Sequence, residues 1–152
     1  MKHNTLVKIL GFASFAFGII AVFTLFAPCF SETVRGNVYQ VAFGLVGGYP
    51  AIPMLCVGFA LLIVASFVPL FIGVSDKKGS LAFAILAALI LAAAGTILLL
   101  SKTFYLPVID TSAHDPLYFT IGTGAITSAV FAYLGAACSL LTAYIARQKI
   151  ED

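Results

Sequence analysis

Apolar and polar positions alternate along this chain in long blocks, not with the period of a soluble helix or strand. Residues 9–26, 51–74, 81–100 and 117–146 contain no Asp, Glu, Lys, Arg or His, and all of the formal charge lies in the segments around them. The third block, LAFAILAALILAAAGTILLL, has no proline and one glycine. At about 1.5 Å rise per residue, a helix of that length matches a bilayer core of about 30 Å. The pattern predicts an all-α membrane protein. Its expected form is an antiparallel four-helix transmembrane bundle, a single domain over 1–152, with helices at about 6–27, 51–74, 80–101 and 117–146.

Breakers and turn residues place the joints. Pro28 closes the first helix, and Pro50 and Pro53 suit the opening turn of the second, where a missing N–H costs little. Pro69 should bend that helix by removing one backbone hydrogen bond. Ser75-Asp-Lys-Lys-Gly79 reads as a tight turn, which makes helices two and three antiparallel neighbours. The first loop, 29–49, is too apolar for a solvated linker. Val38, Tyr39, Val41 and Phe43 give it β-propensity, so it holds either a short β-hairpin or, over 38–46, an interfacial segment. Tyr39, Tyr49, Tyr105 and Tyr118 suit the headgroup zone.

Small residues mark the expected contacts between helices. Apolar surface gives no net drive for association in lipid, so close backbone approach and interhelical hydrogen bonds must supply it. Gly11, Ser14, Gly18 and Ala21 recur at threes and fours in helix one, and Ala51, Gly58 and Ala65 at sevens in helix two. Helix three carries Ser80, Ala84, Ala88, Ala92 and Thr96 at strict fours; helix four answers with Thr120, Gly124, Ser128, Ala132 and Ala136. Ala84, Ala88, Ala92, Gly124, Ser128 and Ala132 are the expected helix-packing residues of a close antiparallel pair. A four-residue row drifts about 40° per step, which favours a right-handed crossing near −40°.

Composition narrows the class. With 62% hydrophobic and 9% charged residues, the chain cannot coat a soluble domain, and a net charge of +2 without a basic cluster excludes nucleic acid. Lys2, Lys8, Lys77, Lys78, Arg147 and Lys149 flank one side, against Arg35 and Lys102 on the other. That bias places both termini in the cytoplasm of a multi-pass plasma-membrane protein. The first apolar block is too long for a signal-peptide core and ends in no A-x-A site. Cys29 and Cys56 both fall near the outer face; a disulfide between them and free, buried thiols are the two open states.

Candidate chemistry is sparse. Ionisable groups at membrane depth mark proton relays and ion paths, and the four blocks have none. Asp110, His114 and Asp115 are of metal-ligand type, but their spacing matches no known site, and Asp115-Pro116 also reads as a helix-start signal. Glu32 and Arg35 form a second polar pair in the first loop. These five are candidates for outer-face recognition; no catalytic set, metal or cofactor is expected.

The order of cytoplasmic termini, longer first loop, tight inner turn and shorter second loop is similar to that of claudin-type tetraspan proteins. Their first loop carries a Gly-Leu-Trp motif and two cysteines; this chain has Gly44-Leu45-Val46 and no tryptophan. The resemblance therefore implies a layout, not a junction-forming activity. The leading functional expectation is a non-enzymatic protein that binds a partner membrane protein, a copy of itself or membrane lipid. The alternative is an oligomeric transporter or channel for a neutral or apolar solute, lined by Ser14, Thr24, Ser66, Thr96, Ser128 and Thr142. A weaker third reading is a lipid-directed enzyme using Asp110, His114 and Asp115, for which His114→Ala alone would abolish function.

Overall fold

A computed structural model describes residues 2–31, 36–47, 50–72, 74–107 and 120–151. The chain is mostly helical, in the order α1 (Lys2–Thr24), β1 (Phe30–Ser31), α2 (Val38–Ala42), α3 (Pro53–Phe67), α4 (Lys77–Leu99), α5 (Ser101–Tyr105), β2 (Thr120–Ile121) and α6 (Thr123–Glu151). Among the described residues, four helical stretches are long and apolar enough to cross a membrane: Thr5–Thr24, Pro53–Phe71, Lys78–Leu99 and Thr123–Gln148.

The helix ends follow local chemistry. Pro53 opens α3. Around Pro69 the helix tightens to a 3-10 turn, Val68–Phe71, because the proline ring cannot donate the hydrogen bond an α-helix needs there. The Asp76 carboxylate caps α4 by accepting from the Gly79 N–H at 2.9 Å. Ser80 Oγ then donates back to the Ile72 carbonyl at 2.6 Å, locking the turn between α3 and α4. α6 starts six residues later than the apolar block suggested, since Thr120 and Ile121 are in β2, and it continues to Glu151. Ala51 likewise lies outside α3.

Burial within the four long helices steps by alternate threes and fours. The buried line is Val7, Gly11, Ser14, Gly18 and Ala21 in α1, and Leu55, Gly58, Leu62 and Ala65 in α3. In α4 it is Ala84, Ala87, Leu91, Ala94 and Leu98; in α6 it is Ala125, Ser128, Ala132, Gly135, Ser139, Thr142 and Ala146. In α6 the row of fours from Gly124 through Ser128 and Ala132 to Ala136 is buried as well; in α4 the row departs from the buried line. Along the row of fours in α4, Ser80, Ala84 and Ala88 are buried, Ala92 is half-buried and Thr96 is exposed. The row winds off the contact because each step of four overshoots a helical turn by about 40°.

Small residues set the distances between backbones. A Cβ on Gly18 would lie 3.0 Å from Ser66 Cα in α3, and one on Gly11 would lie 3.4 Å from the Pro69 carbonyl. Three residues on, the same helix turns to α6: Ser14 Oγ donates to the Gly135 carbonyl at 2.8 Å, and Ser128 Oγ donates to the Ala21 carbonyl at 2.7 Å. The single seam read in helix one is thus two, offset by about 60°, serving α3 and α6. Gly95 of α4 would place a Cβ 3.4 Å from both the Ala129 carbonyl and Ala132 Cβ of α6. Along α1 the contacts run from Gly11–Pro69 to Gly18–Ser66 with the α3 side, and from Ser14–Gly135 to Ala21–Ser128 with α6.

Gly18→Val should lower stability in detergent by about 1–3 kcal/mol, because the branched side chain meets Ser66 backbone. Phe12→Leu, at a ring that is 65% exposed, should change it by less than about 0.5 kcal/mol. Titration with sodium dodecyl sulfate, followed by circular dichroism, measures both.

Candidate functional site at the loop end

Residues 27–31, after α1, and residues 120–124, at the start of α6, meet at one end of the long helices, and backbone hydrogen bonds tie them together. β1 and β2 pair antiparallel, with Phe30 opposite Ile121 and Ser31 opposite Thr120. Beside them the Gly122 N–H donates to the Cys29 carbonyl at 2.7 Å, and the Gly124 N–H donates to the Pro28 carbonyl at 2.8 Å. These approaches leave no room for side chains: a Cβ on Gly122 would fall 2.6 Å from the Pro28 carbonyl oxygen, and one on Gly124 would overlap the Ala27 carbonyl. Gly124 therefore packs directly against the Ala27–Pro28 backbone.

Of the two forms expected for the first loop, residues 38–46 hold no strand: among the described residues an antiparallel bridge joins Pro28 to Asn37, and Phe30–Ser31 pairs with Thr120–Ile121 of the second loop. Val38–Ala42 is helical because both of its ends are capped. Asn37 Oδ1 accepts from the Gln40 N–H at 2.8 Å, and Gln40 Oε1 accepts from the Asn37 N–H at 3.2 Å, a reciprocal box. At the other end the Gly44 N–H donates to the Val41 carbonyl and the Leu45 N–H to the Gln40 carbonyl. That Schellman closure needs a left-handed residue, and Gly44 has φ +65°. Local caps outweigh the β-propensity of Val38, Tyr39 and Val41. The signal Asn37-x-x-Gln40 followed by Gly44 is present in the sequence.

Behind this platform lies an apolar floor. Cys29, Phe30, Ile52, Leu55 and Tyr105 are fully or almost fully buried, with the Phe30 and Tyr105 rings 4.8 Å apart. All three cysteines are free thiols. Cys56 Sγ donates to the Ala42 carbonyl at 3.0 Å and so helps to hold α2 onto α3. Burial pushes the Cys29 thiol up to about 12, which keeps it protonated and a poor nucleophile at neutral pH.

The six expected packing residues separate. Ala84 and Ala88 are buried on α4, while Ala92 is at the edge of the contact. Of the three on α6, Gly124 meets the first loop, Ser128 bonds to α1, and Ala132 faces Gly95 of α4. Gly95, Gly135 and Ser139, not singled out in the sequence, make equally close contacts. Glu32, Arg35, Asp110, His114 and Asp115 lie outside the described residues. Among the described residues no three His, Cys, Asp or Glu side chains cluster to hold a metal.

The hydroxyls proposed to line a solute path all donate to backbone carbonyls. Ser14 gives to Gly135, Thr24 to Ala21, Ser66 to Leu62, Thr96 to Ala92, Ser128 to Ala21 and Thr142 to Cys138. A hydroxyl has one proton, so Ser139 must be the donor to Ser14 Oγ at 2.7 Å, and Tyr133 the donor to Thr96 Oγ1 at 2.8 Å. No protein-family model, curated protein or solved structure matches the chain.

Gly44→Ala should cost about 1–3 kcal/mol, since it forces a Cβ into the left-handed region and 2.6 Å from the Ala51 backbone nitrogen. Asn37→Ala should cost about 1 kcal/mol through loss of the cap. Thermal unfolding in detergent checks both. Cys29 should resist maleimide in the folded protein from pH 7 to 9, because its folded-state pKa near 12 keeps the thiolate scarce throughout that window. It should react after denaturation, as mapped by peptide mass spectrometry.

Proposed function

We propose that this chain is a non-enzymatic, multi-pass integral membrane protein that acts by binding. In this reading the four long helices form an antiparallel transmembrane bundle in the plasma membrane, with both termini in the cytoplasm as the Lys and Arg bias directs. The joined loops at the other end then face outward and recognise a partner membrane protein or a second copy of the chain, or engage lipid.

The observation that carries the reading is where the small residues and hydroxyl donors go. They are used between and within the helices of one molecule, at Gly18–Ser66, Ser14–Gly135, Ser128–Ala21 and Gly95–Ala132. Large side chains such as Phe23, Val64, Leu89 and Leu141 are left facing out from the long helices, as lipid contact requires. Each of the six hydroxyls spends its one proton on a carbonyl, so a conduit built from them would offer a solute acceptors but no donor. The loop segments also carry the polar residues Glu32, Arg35, Asp110, His114 and Asp115, which the four apolar blocks lack.

The test uses the Gly47 position, where an added side chain meets nothing within 4 Å. A photo-crosslinking residue placed there, in the native membrane, should give one discrete protein or lipid adduct, with copurification at fixed stoichiometry if the partner is a protein. Solute flux in proteoliposomes without any adduct would replace this reading with the transport alternative.

A further inference from the structure

We propose that α2 and the rings around it form a lipid-contact surface, seated at the boundary between hydrocarbon and headgroups and not in water. The proposal rests on the transmembrane reading above and adds to it which part of the first loop is in the bilayer and what it touches there.

The backbone of α2 is the first observation. A helix of five residues normally leaves most of its end groups to water. Here the N–H groups of Val38, Tyr39, Gln40 and Val41 donate to Ala27, Leu25, Asn37 Oδ1 and the Asn37 carbonyl. The carbonyls of Tyr39, Gln40 and Val41 accept from Phe43, Leu45 and Gly44; that of Ala42 accepts from the Ile52 N–H at 3.0 Å and from the Cys56 thiol. Water is not needed to satisfy any of these groups. Irregular backbone is tolerated at membrane depth only under that condition.

The second observation is what α2 presents outward. Val38, Val41 and Ala42 are buried against the long helices. On the other side Tyr39 lies 5.0 Å from Phe43, 5.7 Å from Phe59 and 6.2 Å from Phe26, centroid to centroid. Phe26 is 58% exposed, Phe43 42% and the adjoining Leu45 60%. This apolar surface runs on without interruption of charge into the outward face of α3: residues 36–75 include no charged side chain. In water such a patch would be an aggregation liability. At the membrane boundary it is an anchor, where aromatic rings with one polar tip are favoured. A hydrocarbon chain is the occupant that matches a face with rings, no charge and no unmet backbone donor.

Site-directed spin labelling decides it. The background carries Cys56→Ser, which keeps a donor for Ala42, and Cys138→Ala; buried Cys29 is retained. Labels at Phe43→Cys and Leu45→Cys are read in phosphatidylcholine–phosphatidylglycerol vesicles by collision with oxygen, which enters lipid, and with a water-soluble nickel chelate. Leu89→Cys on α4 reports whether the long helices are in lipid, and Gln148→Cys gives the water value. Oxygen collisions several-fold above nickel at 43 and 45, as at 89, are the expected result. Nickel dominating at 43 and 45 while 89 stays lipid-like overturns the α2 proposal alone. Poor access to both probes at 43 and 45 also overturns it, by showing protein over the patch. Nickel dominating at 89 overturns the transmembrane reading and this proposal with it.

Discussion

Close approach between helix backbones is the constraint on which the rest of this structure depends. Lipid tails are as apolar as leucine, so large side chains gain nothing from meeting one another inside a bilayer. Dispersion and hydrogen bonding increase only if backbones come near, and that requires Gly, Ala or Ser at the contact. The chain supplies these at alternate threes and fours in α1 and α6, and at Ala84, Ala87 and Ala94 among leucines in α4. Ser14 and Ser128 add hydrogen bonds across the contact, each reaching a carbonyl on a neighbouring helix. Double-mutant measurements on such bonds average about 0.6 kcal/mol, so contact geometry, not any one bond, carries the assembly.

The loop end obeys the same rule by different means. Gly122 and Gly124 let the start of α6 touch the Ala27–Cys29 backbone, and the pairing of Phe30 with Ile121 fixes the register. The described parts of the two loops are thus joined into one cap, and Cys29 and Tyr105 are fully buried. α2 is fastened to this cap through its termini and, by way of Cys56, to α3. A cysteine that donates to a carbonyl has a structural use that neither redox nor metal chemistry would explain.

How much of this could be read from the chain depends on which property carried the signal. Length and the absence of charge marked all four long helices, and Pro53, Pro69 and Asp76 marked their joints. The contact lines were harder, because the inner and outer faces are equally apolar and differ in size, not polarity. Helix one was legible, since Gly11, Ser14, Gly18 and Ala21 are the small residues among phenylalanines. In helix three the row of fours is buried at Ser80, Ala84 and Ala88 and leaves the contact at Ala92 and Thr96, and alanines crowd the helix so that several spacings fit. α2 was hidden by β-branched residues, although Asn37, Gln40 and Gly44 spelled both caps. Partners far apart in sequence, such as Gly124 with Ala27 or Ser14 with Ser139, left no trace in any local pattern.

The composition of the α6 contact line bears on how such a protein is made. Alanine, glycine, serine and threonine at Ala125, Ser128, Ala132, Gly135, Ser139 and Thr142 impose little penalty on entry into the bilayer. On the proposed transmembrane reading, each long helix enters the bilayer during synthesis before it has met its neighbours, and assembly is a separate, later stage. A bulky residue on that line then spoils the second stage and spares the first.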